Sequence, residues 1–130
     1  MSQSVLVVDD EPALLRLMEF VLARQGFHLL TATNGEDALK IVREKKPDLI
    51  VLDIMMPRLD GYQVAEAIRA DPATAHMPII MLSAKAQEGD IERGIAIGVD
   101  TYITKPFSPD SLVETVLGFL EGISGPTIED

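Results

Sequence analysis

The sequence predicts an α/β fold, a doubly wound five-stranded parallel sheet with helices on both faces. Three observations predict it. Five short apolar runs recur along the chain: VLVV (5–8), HLLTAT (28–33), LIVL (49–52), IIML (79–82) and TYIT (101–104). Amphipathic stretches with helical spacing fill every gap between them, and strand-helix alternation throughout implies a parallel sheet covered on both sides. The runs also differ in kind: the first, third and fourth are uninterrupted apolar, as doubly buried strands must be.

The elements follow in order. After the first run, PALLRLMEFVLARQG places Leu14, Leu15, Met18, Val21 and Leu22 on one stripe, and Gly26 suits a C-terminal stop. The second run carries His28, Thr31 and Thr33, which marks an edge strand. NGEDALKIVREKK opens on Asn34 as N-cap, carries acids in its first turn and lysines in its last, and stops before Pro47. DGYQVAEAIRAD begins on the cap Asp60. QEGDIERGIAIG is a weaker helix, because Gly89 and Gly94 lower its propensity. The fifth run has Thr101 and Thr104, a second edge. SPDSLVETVLGFLEG starts on Ser108 with Pro109 at the first helical position. Sequence neighbours tend to be spatial neighbours, so the second run joins the first and the fifth joins the fourth. The third is left in the middle. The strand order is then 2-1-3-4-5, that of flavodoxin-like sheets.

A length of 130 residues favours one domain with a real core. The net charge of −10 opposes a broad nucleic-acid-binding face and attraction to anionic membrane. With no cysteine, disulfides and thiolate metal sites are excluded. MSQSVLVVDD lacks the basic n-region of a signal peptide, and no run reaches the roughly 20 apolar residues of a membrane span. The expectation is a cytoplasmic domain over residues 1–122. Residues 123–130, rich in Gly, Pro and acid, form a flexible tail or the start of a linker.

In a parallel sheet all C-terminal strand ends share one rim, and ligands sit outside it where the strand order reverses. Here the first strand runs into Asp9-Asp10-Glu11, the third into Asp53, the fourth into Ser83 and the fifth into Lys105. Clustered carboxylates repel, and one would take up a proton unless compensated. A hard divalent cation compensates them; Mg²⁺ prefers oxygen ligands and commonly joins a couple of carboxylates to a phosphate. A carboxylate beside Mg²⁺, Lys and a hydroxyl is equipped to accept a phosphoryl group as nucleophile. Singly, each residue has a simpler role. The acids after the first strand suit a helix N-terminus, Asp53 could cap a loop, Lys105 could lie on the surface, and Met55 and Met56 could be loop or core filler. His28 and His76 read as structural. The agreement of four strand ends is what favours the pocket.

VLVVDDEPALL, PDLIVLDIMMPRLDGYQV, PIIMLSAKA and GVDTYITKPFSPDSL resemble, in order and over nearly the whole chain, the signature segments of receiver domains from two-component response regulators. The resemblance implies that Asp53 is the phosphoacceptor, taking phosphate from a sensor histidine kinase or a phosphotransfer protein. It implies Mg²⁺, or Mn²⁺ in its place, held by Asp10, Asp53 and the Met55 main-chain carbonyl, with Asp9 helping through water. Lys105 would contact phosphoryl oxygens. Ser83 would be the switch hydroxyl, with Ala84 beside it in the phosphoryl-binding set, and Tyr102 the switch aromatic. The change would leave through the surface of the fourth helix, fifth strand and fifth helix, toward a downstream protein target. The Lys105-Pro106 bond is expected to be cis, against a base rate of about 5% for X-Pro.

The chain departs from winged-helix DNA-binding relatives in one respect. Thr101 stands where a second acid is common after Asp100, and Thr115 where an arginine is common. That fits a stand-alone receiver, without direct nucleic-acid binding, as a monomer or a weak phosphorylation-dependent dimer. Two other functions compete with this signalling switch, which would be no turnover enzyme beyond its own phosphotransfer and autodephosphorylation. A phosphatase of the haloacid-dehalogenase type also uses Asp, Mg²⁺, Ser/Thr and Lys. It needs a DxD motif ending the first strand, and Asp9-Asp10 are adjacent, with no room for a cap domain. An interaction module that has lost phosphotransfer is the other, and the complete set of pocket residues weighs against it.

Overall fold

A computed structural model of the chain describes residues 3–84 and 88–121. Five strands alternate with five helices: β1 (Ser4–Val8), α1 (Pro12–Ala23), β2 (His28–Ala32), α2 (Gly35–Lys45), β3 (Leu49–Asp53), α3 (Gly61–Ala70), β4 (Ile79–Ser83), α4 (Glu88–Ile97), β5 (Thr101–Thr104) and α5 (Pro109–Glu121). All four strand pairs are parallel, and the order is β2-β1-β3-β4-β5, as the sequence predicts.

Burial follows from that order. β3 and β4 are buried along their whole length, and β1 is buried after Ser4. The edges β2 and β5 each retain partial exposure, which is why they tolerate threonines. Alternate residues of the central strands feed two cores. Leu6, Val8, Ile50, Leu52, Ile79 and Met81 pack toward α2 and α3. Val5, Val7, Leu49, Val51, Ile80 and Leu82 pack toward α1 and α5. Full burial of each such side chain contributes about 1.5–3 kcal/mol relative to exposure.

The predicted caps are present. Asn34 accepts the Asp37 N–H at 2.8 Å, Asp60 and Gln63 form a reciprocal capping box, and the Ser108 hydroxyl accepts the Ser111 N–H at 3.0 Å. On α1, Leu15, Met18 and Leu22 of the predicted stripe are buried, while Leu14 and Val21 are half-buried. Gly26 follows α1 with φ of 92°, the left-handed conformation that favours glycine. Gln87, the predicted start of the fourth helix, and the tail at 123–130 lie outside the described residues.

Candidate functional site

The C-terminal ends of β1, β3, β4 and β5 meet as the topology requires. Asp9 directly follows β1 and is fully buried. Its Oδ1 accepts the Glu11 N–H at 2.9 Å, so it also serves the entry to α1. Its Oδ2 lies 3.0 Å from Lys105 Nζ. That contact is one of charge rather than direction, because the same buried oxygen accepts no hydrogen bond of good geometry. Asp53, the last residue of β3, is 3% exposed. Its Oδ1 accepts from Lys105 Nζ at 3.2 Å and from the Met55 N–H at 3.4 Å. One ammonium thus bridges two buried carboxylates, while Asp10 is exposed beside them.

The charges are imperfectly balanced. Burial, and then the Asp9 carboxylate, push the Asp53 carboxyl above its ordinary value, and Lys105 only partly offsets them. Burial alone would lower the Lys105 ammonium. The close Asp9 carboxylate at 3.0 Å, with the charge and hydrogen bond of Asp53, outweighs it and raises the lysine instead. The lysine's charged form is therefore favoured, and the aspartate's charged form is disfavoured.

This donor set fits a hard divalent cation. Asp9, Asp10 and Asp53 each offer one carboxylate oxygen, and the three oxygens lie within 4.8 Å of one another. The buried Asp9 Oδ2, short of a hydrogen bond, is an acceptor of the kind that a metal or a metal-bound water satisfies.

The remaining predicted residues fall around this centre. Ser83 ends β4, is buried, and pairs in register with Thr104. Its carbonyl accepts the Lys105 N–H at 2.6 Å, which ties the hydroxyl-bearing residue to the lysine. Ala84 follows it in an exposed bend. Met55 is exposed at the rim, and Met56 is buried in the core. The Lys105-Pro106 bond is cis, as expected. Tyr102 is half-buried on β5, opposite Met81, and packs at the edge of the α2/α3 core. His28 and His76 are exposed and lie before or at strand starts, on the opposite rim.

Two contributors were not evident from sequence. Gly61, beside the cap Asp60, carries no sign of its role in the sequence. A Cβ there would come within 2.5 Å of the Asp53 carbonyl oxygen and 2.8 Å of Ile54 Cα, both backbone. Its N–H donates to the Ile54 carbonyl at 2.9 Å, so glycine lets the loop close tightly behind Asp53. A cleft of about 340 Å³ also opens beside the lysine, lined by Glu11, Leu14, Leu17, Lys105, Pro106 and Phe107. It combines residues too far apart in sequence for a local pattern to reveal. Among the described residues, no helix is long and apolar enough to cross a membrane.

The chain is similar to known proteins. Residues 5–117 match the family profile described as response regulator receiver domain. The alkaline phosphatase synthesis transcriptional regulatory protein PhoP of Bacillus subtilis is 43% identical over 131 residues, covering 99% of this chain and 54% of that protein. The DNA-binding response regulator MtrA of Mycolicibacterium smegmatis is 42% identical over 116 residues, covering 89% of this chain and 50% of its own. The chain thus spans about half the length of these curated relatives. Among solved structures, the receiver domain of the Pseudomonas aeruginosa sensor histidine kinase PA1611 has a TM-score of 0.85 and 30% identity, covering 93% of this chain and 99% of that one. Its structure has a magnesium ion coordinated in the active-site cleft.

Proposed function

The chain belongs to the response regulator receiver family, and on that footing we propose that it is a phospho-acceptor switch whose acceptor is Asp53. The observation that carries the reading is the buried Asp9–Lys105–Asp53 arrangement, in which one ammonium bridges two acids at 3.0 and 3.2 Å. In the transfer step the Asp53 carboxylate attacks the phosphorus of a partner's phosphohistidine. The new O–P bond forms as the P–N bond breaks, and the imidazole leaves with the electron pair. Lys105, already within reach of Asp53, holds a phosphoryl oxygen as negative charge accumulates there.

Asp10 and Asp53, with Asp9 behind them and the Met55 carbonyl as a further donor, would hold a Mg²⁺ or Mn²⁺ ion, which supplies positive charge against the carboxylates and phosphoryl oxygens. The phosphorylated side chain carries roughly two negative charges and new acceptor oxygens. Ser83, at the end of the adjacent strand, donates to one of them with Ala84 alongside, and Tyr102 on β5 responds to the space that Ser83 vacates. The surface of α4, β5 and α5 then changes for a downstream protein target.

The donor is a histidine kinase or phosphotransfer protein. It meets the rim beside Lys105, where the cleft between Leu14, Leu17 and Phe107 offers apolar contact. The reading puts the exchange in the cytoplasm, where the kinase's ATP is available. The receiver unit is residues 1–122.

Acetyl phosphate tests this directly. With Mg²⁺, intact-mass spectrometry should record one added phosphoryl group in the wild type and none in Asp53→Asn. Equal labelling of the two proteins would refute Asp53 as the acceptor.

A further inference from the structure

Gly94 sits inside α4, where glycine is among the poorest residues for a helix. Its backbone gives no reason for the choice. Gly98, which ends the helix, has φ of 103°, whereas Gly94 is not in the left-handed region. The Gly94 carbonyl accepts the Gly98 and Val99 N–H groups at 2.9 Å each, but any residue would supply that carbonyl. Space is what demands glycine. A Cβ at position 94 would overlap the Tyr102 hydroxyl and lie 2.6 Å from Tyr102 Cζ and 3.0 Å from Cε1. Gly94 is buried while Arg93 and Ile95 on either side are exposed. The adjacent Arg93 guanidinium stacks 4.3 Å from the centre of the Tyr62 ring on α3. One turn of α4 is thus fixed to α3 through Arg93 and to β5 through the phenol end seated on Gly94.

We propose that Gly94 is a notch that seats Tyr102, a positioning residue that couples the tyrosine's side-chain position to the placement of α4. The proposal rests on the reading of Tyr102 as the relay aromatic and adds the element on which the relay acts. While the phenol end occupies the notch, tyrosine and helix cannot move independently. A side chain at 94 evicts the ring and breaks that link without touching Asp53, Lys105 or the acidic cluster.

The test is a double-mutant cycle in the full chain, using Gly94→Ala, Tyr102→Ala and their combination. With Tyr102 present, Gly94→Ala should lower Tm by several degrees. With Tyr102→Ala, the same change should raise Tm by a few degrees, because only the gain in helix propensity remains. An equal shift in both backgrounds overturns the notch.

A second readout uses Tyr62→Phe, which leaves Tyr102 as the sole emitting tyrosine. Acrylamide quenching of Tyr102 should rise about two-fold on Gly94→Ala, as expected for a ring moved from a half-buried to an exposed position. In the Gly94 protein, beryllofluoride with Mg²⁺, a mimic of the phosphoryl group, should change the quenching. In Gly94→Ala that response should be lost while acetyl phosphate still labels Asp53. A coupled cycle with no beryllofluoride response in the Gly94 protein would refute the relay, and with it the regulatory part of the proposal, leaving the notch as packing alone.

Discussion

Replacing Asp53 by asparagine should stabilise the metal-free protein. The side chains are nearly isosteric, so the change is one of charge. Asp9 and Asp53 offer oxygens within 4.8 Å of each other. At an effective dielectric near 20, two like charges at that separation repel by about 3.5 kcal/mol. On the same scale Lys105, 3.2 Å from Asp53, attracts it by about 5 kcal/mol. Taking the carboxylate out of water adds several kcal/mol against the charged form. The balance favours a neutral group by about 1–2 kcal/mol on these magnitudes. The raised pKa of Asp53, caused first by burial and then by Asp9, has the same sign. For a chain of 130 residues this is a rise in Tm of roughly 4–8 °C.

The assay is a thermal melt of both proteins at neutral pH in chelator, repeated with excess Mg²⁺ and at lower pH. On the proposed reading magnesium binds the folded state and should stabilise the wild type by mass action, about 2.7 kcal/mol at a hundredfold excess over Kd. The asparagine variant lacks one ligand, so its advantage should shrink or reverse. Acid should also close the gap. A carboxyl whose folded pKa is raised gains proton-linked stability as pH falls through that value toward its unfolded value of 3.8. Below that window the wild type is neutral there too. A variant that melts at or below the wild type in chelator at neutral pH would refute this account of the pocket.

Three further outcomes follow from the same geometry. Asp10→Ala should abolish measurable Mg²⁺ binding in titration calorimetry with little change in chelator Tm, because Asp10 is exposed and pairs with nothing buried; undiminished binding would put the ion elsewhere. Lys105→Ala should leave Asp9 and Asp53 unpaired and cost about 3 kcal/mol, a drop near 10 °C in Tm in chelator, partly restored by Mg²⁺. Gly61→Ala should cost about 2–3 kcal/mol, because its new methyl runs into the Asp53–Ile54 backbone. It should also slow acetyl phosphate labelling of Asp53, and an unchanged rate with an unchanged Tm would show that the loop yields freely.

The strand order was legible because each strand announces its burial in one number-free pattern. LIVL and IIML cannot sit at an edge, whereas HLLTAT and TYIT can. Once the order is set, the rim follows, because parallel strands place Asp9, Asp53, Ser83 and Lys105 at the same end. Capping was legible at Asn34, Asp60 and Ser108, since a cap acts within one helical turn. What escaped was contact between distant segments. Arg69 donates to the Gly98, Ala75 and Met77 carbonyls and to Asp100, joining the α3–β4 and α4–β5 loops at the lower rim, and nothing near it in sequence marks it as a hub. Gly61 and Gly94 are opposite cases of one blindness. Each is a glycine at or in a helix, where propensity counts it as a weakness. Only the approach of Asp53 to one and Tyr102 to the other gives the reason.

The same consideration explains why the pocket is built from locally poor choices. An acid at the end of a buried strand and a glycine in a short helix each oppose the stability of the element that carries them. Asp53 is costly because it is buried beside Asp9, yet that cost makes the folded chain sensitive to whatever alters the charge there. Gly94 weakens α4, yet a weaker helix seated on a tyrosine is easier to displace than one packed through its own side chains. On the proposed relay, Asp53→Asn and Gly94→Ala therefore interrupt one signal at different points. Asp53→Asn would remove the acceptor carboxylate and the cost of burying it beside Asp9. Gly94→Ala would leave Asp53 intact and separate Tyr102 from α4.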